Sequence, residues 1–322
     1  MNSVLFLTSL SLPNLVTRMP GGVAQGIIWG LMALGVYITF RVLDIADLTV
    51  DGSFTTGGAV TVMLILAGYS PLLAVAAALL AGMLAGLVTG LLHTKLGIPA
   101  ILAGILTQFA LYSVNLHIMG MAANKSVNPD KVDLLITMRD IPLAIVIGAV
   151  FAVGVVLILY WYFGTEQGSA IRATGSNPNM SRAQGINVNN MKLIGLSLSN
   201  GIIALSGGLM AQFQGFADIN MGRGAIVIGL AAVIIGEVLC DAVFRKGSQF
   251  YTRLGFVVFG GVVYYAVMVI ILWLKVDPND LKLFTALIVA LFLAVPYLRA
   301  QSRSSFKLAG RQSRKETRNA GT

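Results

Sequence analysis

The chain has 322 residues, of which 57% are hydrophobic and only 11% charged, and its mean hydropathy is +0.84. Soluble domains carry about 25% charged residues, so this composition excludes an ordinary soluble protein and predicts an all-α polytopic membrane protein. The single Cys240 excludes a disulfide framework, and the two distant histidines, His93 and His117, do not suggest a metal centre.

The apolar stretches, taken in chain order, predict about eight or nine membrane segments. Residues 1–20 are apolar but contain Pro13 and Pro20, which favours an interfacial segment over a span. A membrane domain over residues 21–298 then holds apolar segments at 21–40, 52–68, 71–92, 98–121, 141–163, 191–214, 224–239, 254–273 and 281–298. The basic tail, residues 299–322, predicts a solvated topology anchor beside membrane lipid rather than a nucleic-acid-binding segment.

A polar island at residues 168–192 interrupts the apolar sequence between two spans. It carries Arg172, Arg182 and Lys192 and has no Asp or Glu, so the positive-inside rule places it in the cytoplasm. With the island and the tail inside, basic residues are about twice as frequent on the inside segments as on the outside ones. The sequence therefore predicts a cytoplasmic C-terminus.

Within the polar island, a short helix is expected at residues 179–184. Asn177 and Pro178 form a turn and helix start, and Gly185 is a suitable helix end. A short polar helix held between two spans presents a surface for a cytoplasmic partner.

Three carboxylates follow the first span. Asp44, Asp47 and Asp51 are spaced by three and four residues, so they share one face of any helix that they form. Nearby hydroxyls and glycines, among them Ser53 and Thr55, allow an irregular polar backbone. Two interpretations remain open: an interrupted helix that lines a solute path, or a solvated loop that joins the first two spans.

Other polar residues in the predicted spans favour hydrogen bonds between helices over ligand contacts. They are Gln108, Asn115, Asn200, Gln212, Gln214 and Glu237, the last expected to pair locally with Arg245 and Lys246. Glycines four residues apart, at Gly22, Gly26 and Gly30 and at Gly82, Gly86 and Gly90, predict closely packed helices.

The sequence contains no motif for catalysis or for ATP binding. The GxxxxGK[ST], HExxH and GxSxG patterns are all missing, so we predict no catalytic residue, no metal site and no cofactor in this chain. The chain is therefore not expected to be an enzyme.

Residues 172–213 (RATGSNPNMSRAQGINVNNMKLIGLSLSNGIIALSGGLMAQF) resemble the permease family of bacterial ABC importers for branched-chain amino acids and ribose-type sugars. Residues 30–60 and 222–239 are similar to other parts of that family, and residues 41–54 look closest to a subgroup associated with tryptophan or tyrosine uptake operons. The positions that match the family pattern in the polar island are Gly175, Asn177, Arg182, Gly185, Ile186 and Lys192.

The resemblance implies a type II-like importer fold with an interrupted second helix that borders the solute path. Two permease copies would pair, a separate cytoplasmic ATPase would bind ATP and Mg²⁺, and an external solute-binding protein would deliver the solute. A coupling loop at residues 164–191 would contact the ATPase through Arg172, Asn177, Arg182, Gly185 and Ile186. The predicted pathway residues are Asp44, Asp47, Asp51, Ser53, Thr55, Gln108 and Asn200. The better-known members carry fewer acids in this region.

The sequence thus predicts a permease subunit in a bacterial inner membrane that imports an amino acid, aromatic or branched-chain, or a similar compound by alternating access. The alternative is an autonomous ion-coupled carrier in which Asp44, Asp47 and Asp51 bind protons or sodium.

Overall fold

A computed structural model of the chain describes residues 12–130, 132–244, 249–274, 280, 283–287, 289–291 and 294. The helices are α1 (Leu12–Tyr37), continued by a π-helical turn (Ile38–Val42), α2 (Val50–Leu66), α3 (Pro71–Thr94), α4 (Ala100–Ile118), α5 (Ile141–Gly164), α6 (Glu166–Ser176), α7 (Pro178–Ala183), α8 (Val188–Gln214), α9 (Ala225–Phe244) and α10 (Phe250–Trp273). Two short strands, β1 (Asn124–Ser126) and β2 (Phe216–Asp218), pair antiparallel.

Among the residues described, seven helices are long and apolar enough to cross a membrane: α1 with its π turn, α3, α4, α5, α8, α9 and α10. The shorter α2 is apolar too. Eight of the nine predicted segments are therefore helices, which confirms the all-α multi-span prediction. Half of the ninth segment, 281–298, lies outside the described residues, and its described residues 283–287, 289–291 and 294 are helical.

The first helix begins earlier than the predicted first span. Helix α1 starts at Leu12 and passes through Pro20 without a break. Neighbouring helices and local backbone adjustments make a proline tolerable in a membrane helix, so Pro20 does not end it. The interfacial position of residues 1–20 stays a prediction, and residues 1–11 lie outside the described part.

Helix α8 lies at the centre of the fold, and serine hydroxyls join it to its neighbours. The hydroxyls of Ser199 and Ser206 donate to the backbone oxygens of Gly35 and Ile28 in α1, at 2.7 and 2.6 Å. Ser197 donates to the backbone oxygen of Met83 in α3 at 2.9 Å. Where lipid surrounds the helices, such bonds and close packing hold the bundle together.

The two glycine rows pack as predicted. A methyl group built on Gly82 would lie 2.3 Å from the backbone oxygen of Asn200 in α8, and one on Gly86 would lie 2.3 Å from that of Leu196. The row at Gly22, Gly26 and Gly30 faces α10 in the same way, against Val269, Val262 and Val258. The glycines permit backbone contact that any side chain would prevent.

The bundle has two distinguishable ends. We call the one that carries the polar island the island end. There α3 ends and α8 begins, and Lys192 Nζ lies 3.2 Å from His93 Nε2, while His93 Nδ1 lies 2.9 Å from the backbone oxygen of Ile98. The other, which carries the β1–β2 pair, we call the strand end.

Candidate functional site: two polar regions around the interrupted helix

The chain between α1 and α2 is irregular over residues 43–48. Asp44 adopts a left-handed backbone conformation, with φ of 55°, and its side chain is exposed. Aspartate tolerates this conformation better than most residues. Because of this irregular stretch, Asp44, Asp47 and Asp51 do not form one helix, and the predicted shared face does not exist.

Asp47 lies in a closed polar cluster, which we define as Asp47, Thr49, Ser53, Thr89 and Asn200. The Asp47 side chain is 3% exposed. Its carboxylate accepts hydrogen bonds from the Thr49 backbone N–H at 2.9 Å and from Asn200 Nδ2 at 2.7 Å. This burial contradicts the interpretation of the segment as a solvated loop. The helices are interrupted over residues 43–48, and the role of this interruption in lining a solute path stays a prediction.

The remaining members of the closed polar cluster complete its hydrogen bonding. Asn200 Oδ1 accepts from the Ser53 hydroxyl at 2.6 Å, and its amide nitrogen also donates to the backbone oxygen of Leu196 at 3.0 Å. The hydroxyls of Thr49 and Thr89 are 2.7 Å apart. Asn200 lies near the middle of α8, so the cluster is deep in the bundle, where an unpaired carboxylate would be expensive.

Asp51, four residues after Asp47, has a different environment. Its carboxylate accepts from the backbone N–H groups of Gly224 and Ile226, each at 3.0 Å, and so caps the start of α9. The backbone N–H of Gly222 donates to the Thr55 hydroxyl at 3.2 Å. A methyl on Gly222 would lie 2.0 Å from the backbone oxygen of Asp51, so glycine is required for this approach.

Asp51 also borders an open pocket of about 460 Å³ between α2, α4 and the segment before α9. The pocket is lined by Asp51, Gly52, Thr55, Gln108, Phe109, Tyr112, Asn115, Ile219, Asn220 and Arg223. Its floor is formed by buried residues, including Gly52 and Asn115, while Tyr112 and Arg223 are exposed at the rim. The predicted pathway residues Asp51, Thr55 and Gln108 therefore meet here, whereas Asp47, Ser53 and Asn200 meet in the closed polar cluster.

The polar island folds as its sequence predicts. Asn177 Oδ1 accepts from the Met180 backbone N–H at 3.0 Å and caps α7, and Gly185 has a φ of +81° just beyond the helix. Arg172, Asn177, Arg182 and Gly185 are exposed and Ile186 is half-buried. Their contact with an ATPase stays a prediction.

The island touches the chain that leads into the interruption. A methyl on Gly175, in α6, would lie 1.8 Å from the backbone oxygen of Val42, and one on Gly195, in α8, would lie 2.4 Å from the Leu43 side chain. Val42 and Leu43 directly precede Asp44. The island and α8 therefore pack directly against the start of the irregular segment.

Residues 19–296 match the family model described as branched-chain amino acid transport system / permease component. The chain belongs to this permease family. A tyrosine transport system permease protein of Clostridioides difficile (strain R20291) is 37% identical over 270 residues, which cover 84% of this chain and 88% of the relative. An uncharacterized protein of Rickettsia prowazekii (strain Madrid E) is 36% identical over 276 residues, which cover 84% of this chain and 94% of the relative.

Among solved structures, PsaBC from Streptococcus pneumoniae in complex with Fab is similar at 14% sequence identity and a TM-score of 0.49. The match covers 90% of this chain and 94% of that one. Family membership confirms the recognition made from the sequence: the protein is a membrane-embedded permease component of an ABC-type transport system.

One predicted ion pair in the permease differs from expectation. Glu237 of α9 accepts from Arg41 Nε at 2.9 Å, at the end of α1, rather than from a neighbour in its own sequence. The helices bring together residues almost two hundred positions apart, and sequence spacing contains no signal of such a pair. Arg245 and Lys246 lie outside the described residues.

The sequence alone did not identify Tyr112, Asn115 or Arg223 as residues that line the open pocket of the permease. Asn115 stood out only as a polar residue in a span, and Arg223 only as a charge in a loop. The available signal was Gly222 and Gly224 on either side of Arg223, because paired glycines allow a close backbone approach. Within the described ranges, no group of three or more His, Cys, Asp or Glu side chains is arranged to hold a metal ion.

Proposed function

We propose that this permease is the membrane subunit of an ATP-driven importer for an amino acid or a similar small solute, working with a separate ATPase that binds ATP and Mg²⁺. The observation that carries the proposal is the contact between Gly175 of the polar island and the backbone of Val42. Gly175 lies near the end of α6, directly before the exposed and capped helix α7. The contact therefore connects this part of the island to the irregular segment that leads into the closed polar cluster.

The contact supports a mechanism for alternating access. Closure of an ATPase dimer would displace α7 and α6, and because Gly175 leaves no free space against Val42, the irregular segment would move with them. That segment carries Asp47, whose hydrogen bond from Asn200 joins it to the middle of α8. The motion would thereby reorient α2 against α8 and change access to the solute path.

The proposed assembly contains two copies of the permease, two ATPase subunits and an external solute-binding protein in a bacterial inner membrane. The polar island and the basic tail would lie on the cytoplasmic side, where the excess of arginine and lysine favours them. The solute is proposed to be an aromatic or branched-chain amino acid. The name of the Clostridioides relative, a tyrosine transport system permease, favours the aromatic class.

A second candidate function is an ion-coupled carrier, which one observation favours. The buried Asp47 carboxylate is held by an amide and a backbone N–H, and among the described residues no Lys, Arg or His forms an ion pair with it. A proton or sodium ion could supply the missing positive charge.

Reconstitution in liposomes separates the two functions. The permease alone is tested for uptake of radiolabelled L-tyrosine and L-leucine under a proton or sodium gradient, and then together with the ATPase, ATP and the binding protein. We expect uptake only in the complete system and only with hydrolysable ATP. Gradient-driven uptake by the permease alone would overturn the proposal in favour of the ion-coupled carrier.

A further inference from the structure

The open pocket contains one buried polar atom that the fold leaves unpaired. Asn115 is 1% exposed and lines the pocket, and its side-chain oxygen has no hydrogen-bond partner among the described residues. Its amide nitrogen lies 3.5 Å from the backbone oxygen of Gly52. A buried acceptor without a partner is unfavourable, so a donor from a ligand would be favoured there.

Two side chains of opposite charge, Asp51 and Arg223, line the same pocket as Asn115. Asp51 borders the pocket with a carboxylate whose two oxygens each accept one backbone N–H and retain further lone pairs. Arg223, exposed at the rim, provides a guanidinium that fits a carboxylate in a bidentate manner. Phe109 and Tyr112, 72% and 49% exposed, line the same pocket with aromatic surface.

We infer that the open pocket is a solute-binding site of the permease, which takes the zwitterionic part of an α-amino acid with an aromatic or large apolar side chain. The ammonium group donates to Asn115 Oδ1 and the Asp51 carboxylate, the carboxylate is bound by Arg223, and the side chain packs on Tyr112 and Phe109. The inference rests on the proposed import of an amino acid and extends it to a specific site.

The volume and position of the pocket fit this role. A space of about 460 Å³ lies within the range of small-molecule sites, which combine apolar walls with a few polar groups that fix orientation. The first turn of α2 carries Asp51 and Gly52, which line the pocket, and also Ser53 of the closed polar cluster. A bound solute would thus contact the same helix that the proposed mechanism moves.

The test measures binding of radiolabelled L-tyrosine to the full-length permease in lipid nanodiscs, with unlabelled competitors that lack one group each. Tyramine lacks the carboxylate, and 4-hydroxyphenylpropionate lacks the ammonium. Arg223→Gln should weaken L-tyrosine about tenfold or more and leave tyramine unchanged, since a charge-assisted bond is lost only for the ligand that has a carboxylate. Asn115→Leu should weaken L-tyrosine and tyramine but not 4-hydroxyphenylpropionate.

Two matched controls accompany these variants. Arg139→Gln changes another exposed arginine, paired with Asp130 outside the pocket, and Trp161→Ala removes an exposed aromatic side chain on α5 for comparison with Tyr112→Ala. Both controls should bind L-tyrosine as the wild type does, whereas Tyr112→Ala should bind it several-fold more weakly. If Asn115→Leu fails to fold, the Arg223→Gln comparison still decides the assignment.

If Arg223→Gln binds all three compounds like Arg139→Gln, the pocket is not the proposed site. Coupled uptake in liposomes is measured on the same variants and reports on the proposed function separately. Intact ATP-dependent uptake with no effect of the pocket variants would overturn the binding site and leave the importer standing. No ATP-dependent uptake by the wild type would overturn the importer, whatever the binding results.

Discussion

The closed polar cluster and the open pocket lie on either side of the first turn of α2, and each is organised around an aspartate. In the closed cluster Asp47 is buried and accepts from Asn200 and from the Thr49 backbone N–H, while Ser53 donates to Asn200. In the open pocket Asp51 is half-exposed, and the oxygen of Asn115 beside it is unpaired. The same residue type, four positions apart, thus stabilises the fold in one place and borders a cavity in the other.

The difference teaches that a polar residue inside a membrane protein should be judged by how completely its partners satisfy it. A satisfied network resists change because every lost partner leaves another group unpaired. A network with an unpaired polar group can still form a hydrogen bond to a ligand. We therefore expect substitutions in the closed cluster to affect stability most and substitutions at the open pocket to affect stability less and recognition more.

The largest effect is expected for Asn200→Leu. The substitution leaves the Asp47 carboxylate and the Ser53 hydroxyl without their partner in the middle of the bundle, at a cost of about 3 kcal/mol or more. The fraction of purified permease that stays monodisperse is measured after heating to a series of temperatures. The temperature at which half remains monodisperse, the thermal midpoint, should fall strongly. Asn189→Leu, at an exposed position of the same helix, is the control. Equal midpoints for the two variants would contradict the structural role of the closed cluster.

Gly175→Ala should have the next largest effect. The added methyl would lie 1.8 Å from the backbone oxygen of Val42, and such overpacking costs about 1–3 kcal/mol. We expect a lower thermal midpoint and, in surviving protein, slower coupled uptake, because the contact connects the island to the closed cluster. Gly164→Ala is the matched control, since nothing lies within 4 Å of a methyl there. Uptake by Gly175→Ala at the level of this control would mean that the contact transmits no motion.

Asp51→Ala tests the open pocket. It removes the cap of α9, so the free energy of unfolding should fall by about 1 kcal/mol, clearly less than for Asn200→Leu. The concentration of L-tyrosine that gives half-maximal uptake should rise at the same time. Asp133→Ala, at an exposed position in the loop before α5, serves for comparison and should change neither quantity. A stability loss as large as that of Asn200→Leu would remove the distinction between the two regions.

The smallest effect is expected at Asp44, the one of the three aspartates that belongs to neither region. Asp44→Gly fits the left-handed backbone and should change the free energy of unfolding by less than about 1 kcal/mol. Asp44→Val, which suits that backbone poorly, should cost about 1–2 kcal/mol. Uptake by Asp44→Gly should remain close to that of the wild type. A tenfold loss of uptake at unchanged stability would place Asp44 on the solute path with the other predicted residues.

The sequence predicted the helices and the capped island because their signals are local. A bilayer requires about twenty apolar residues for each span, and Asn177 and Gly185 bracket α7 through bonds within a few positions. The sequence also selected Asp47, Asp51, Ser53 and Asn200 as important, since polar groups in hydrocarbon need partners.

The partners themselves could not be read from the sequence. Asp51 caps α9, whose first turn lies more than 170 positions further along the chain, and Glu237 pairs with Arg41 at the end of α1. Helical spacing predicts only neighbours on the same helix, so it placed three aspartates on one face that the left-handed turn at Asp44 abolishes. The pocket depends on the approach of Gly222 to Asp51, which is a tertiary contact.

The most direct test of the account is the Arg182→Glu variant of the polar island. Arg182 is exposed on α7, so reversal of its charge should leave the thermal midpoint and L-tyrosine binding unchanged while uncoupling the ATPase. ATP hydrolysis and L-tyrosine uptake are measured together in the complete reconstituted system, with Arg139→Glu, at an exposed position in the loop before α5, as the control. The account predicts at least a tenfold loss of uptake per ATP hydrolysed for Arg182→Glu alone. Coupled uptake by Arg182→Glu at the level of the control would contradict it.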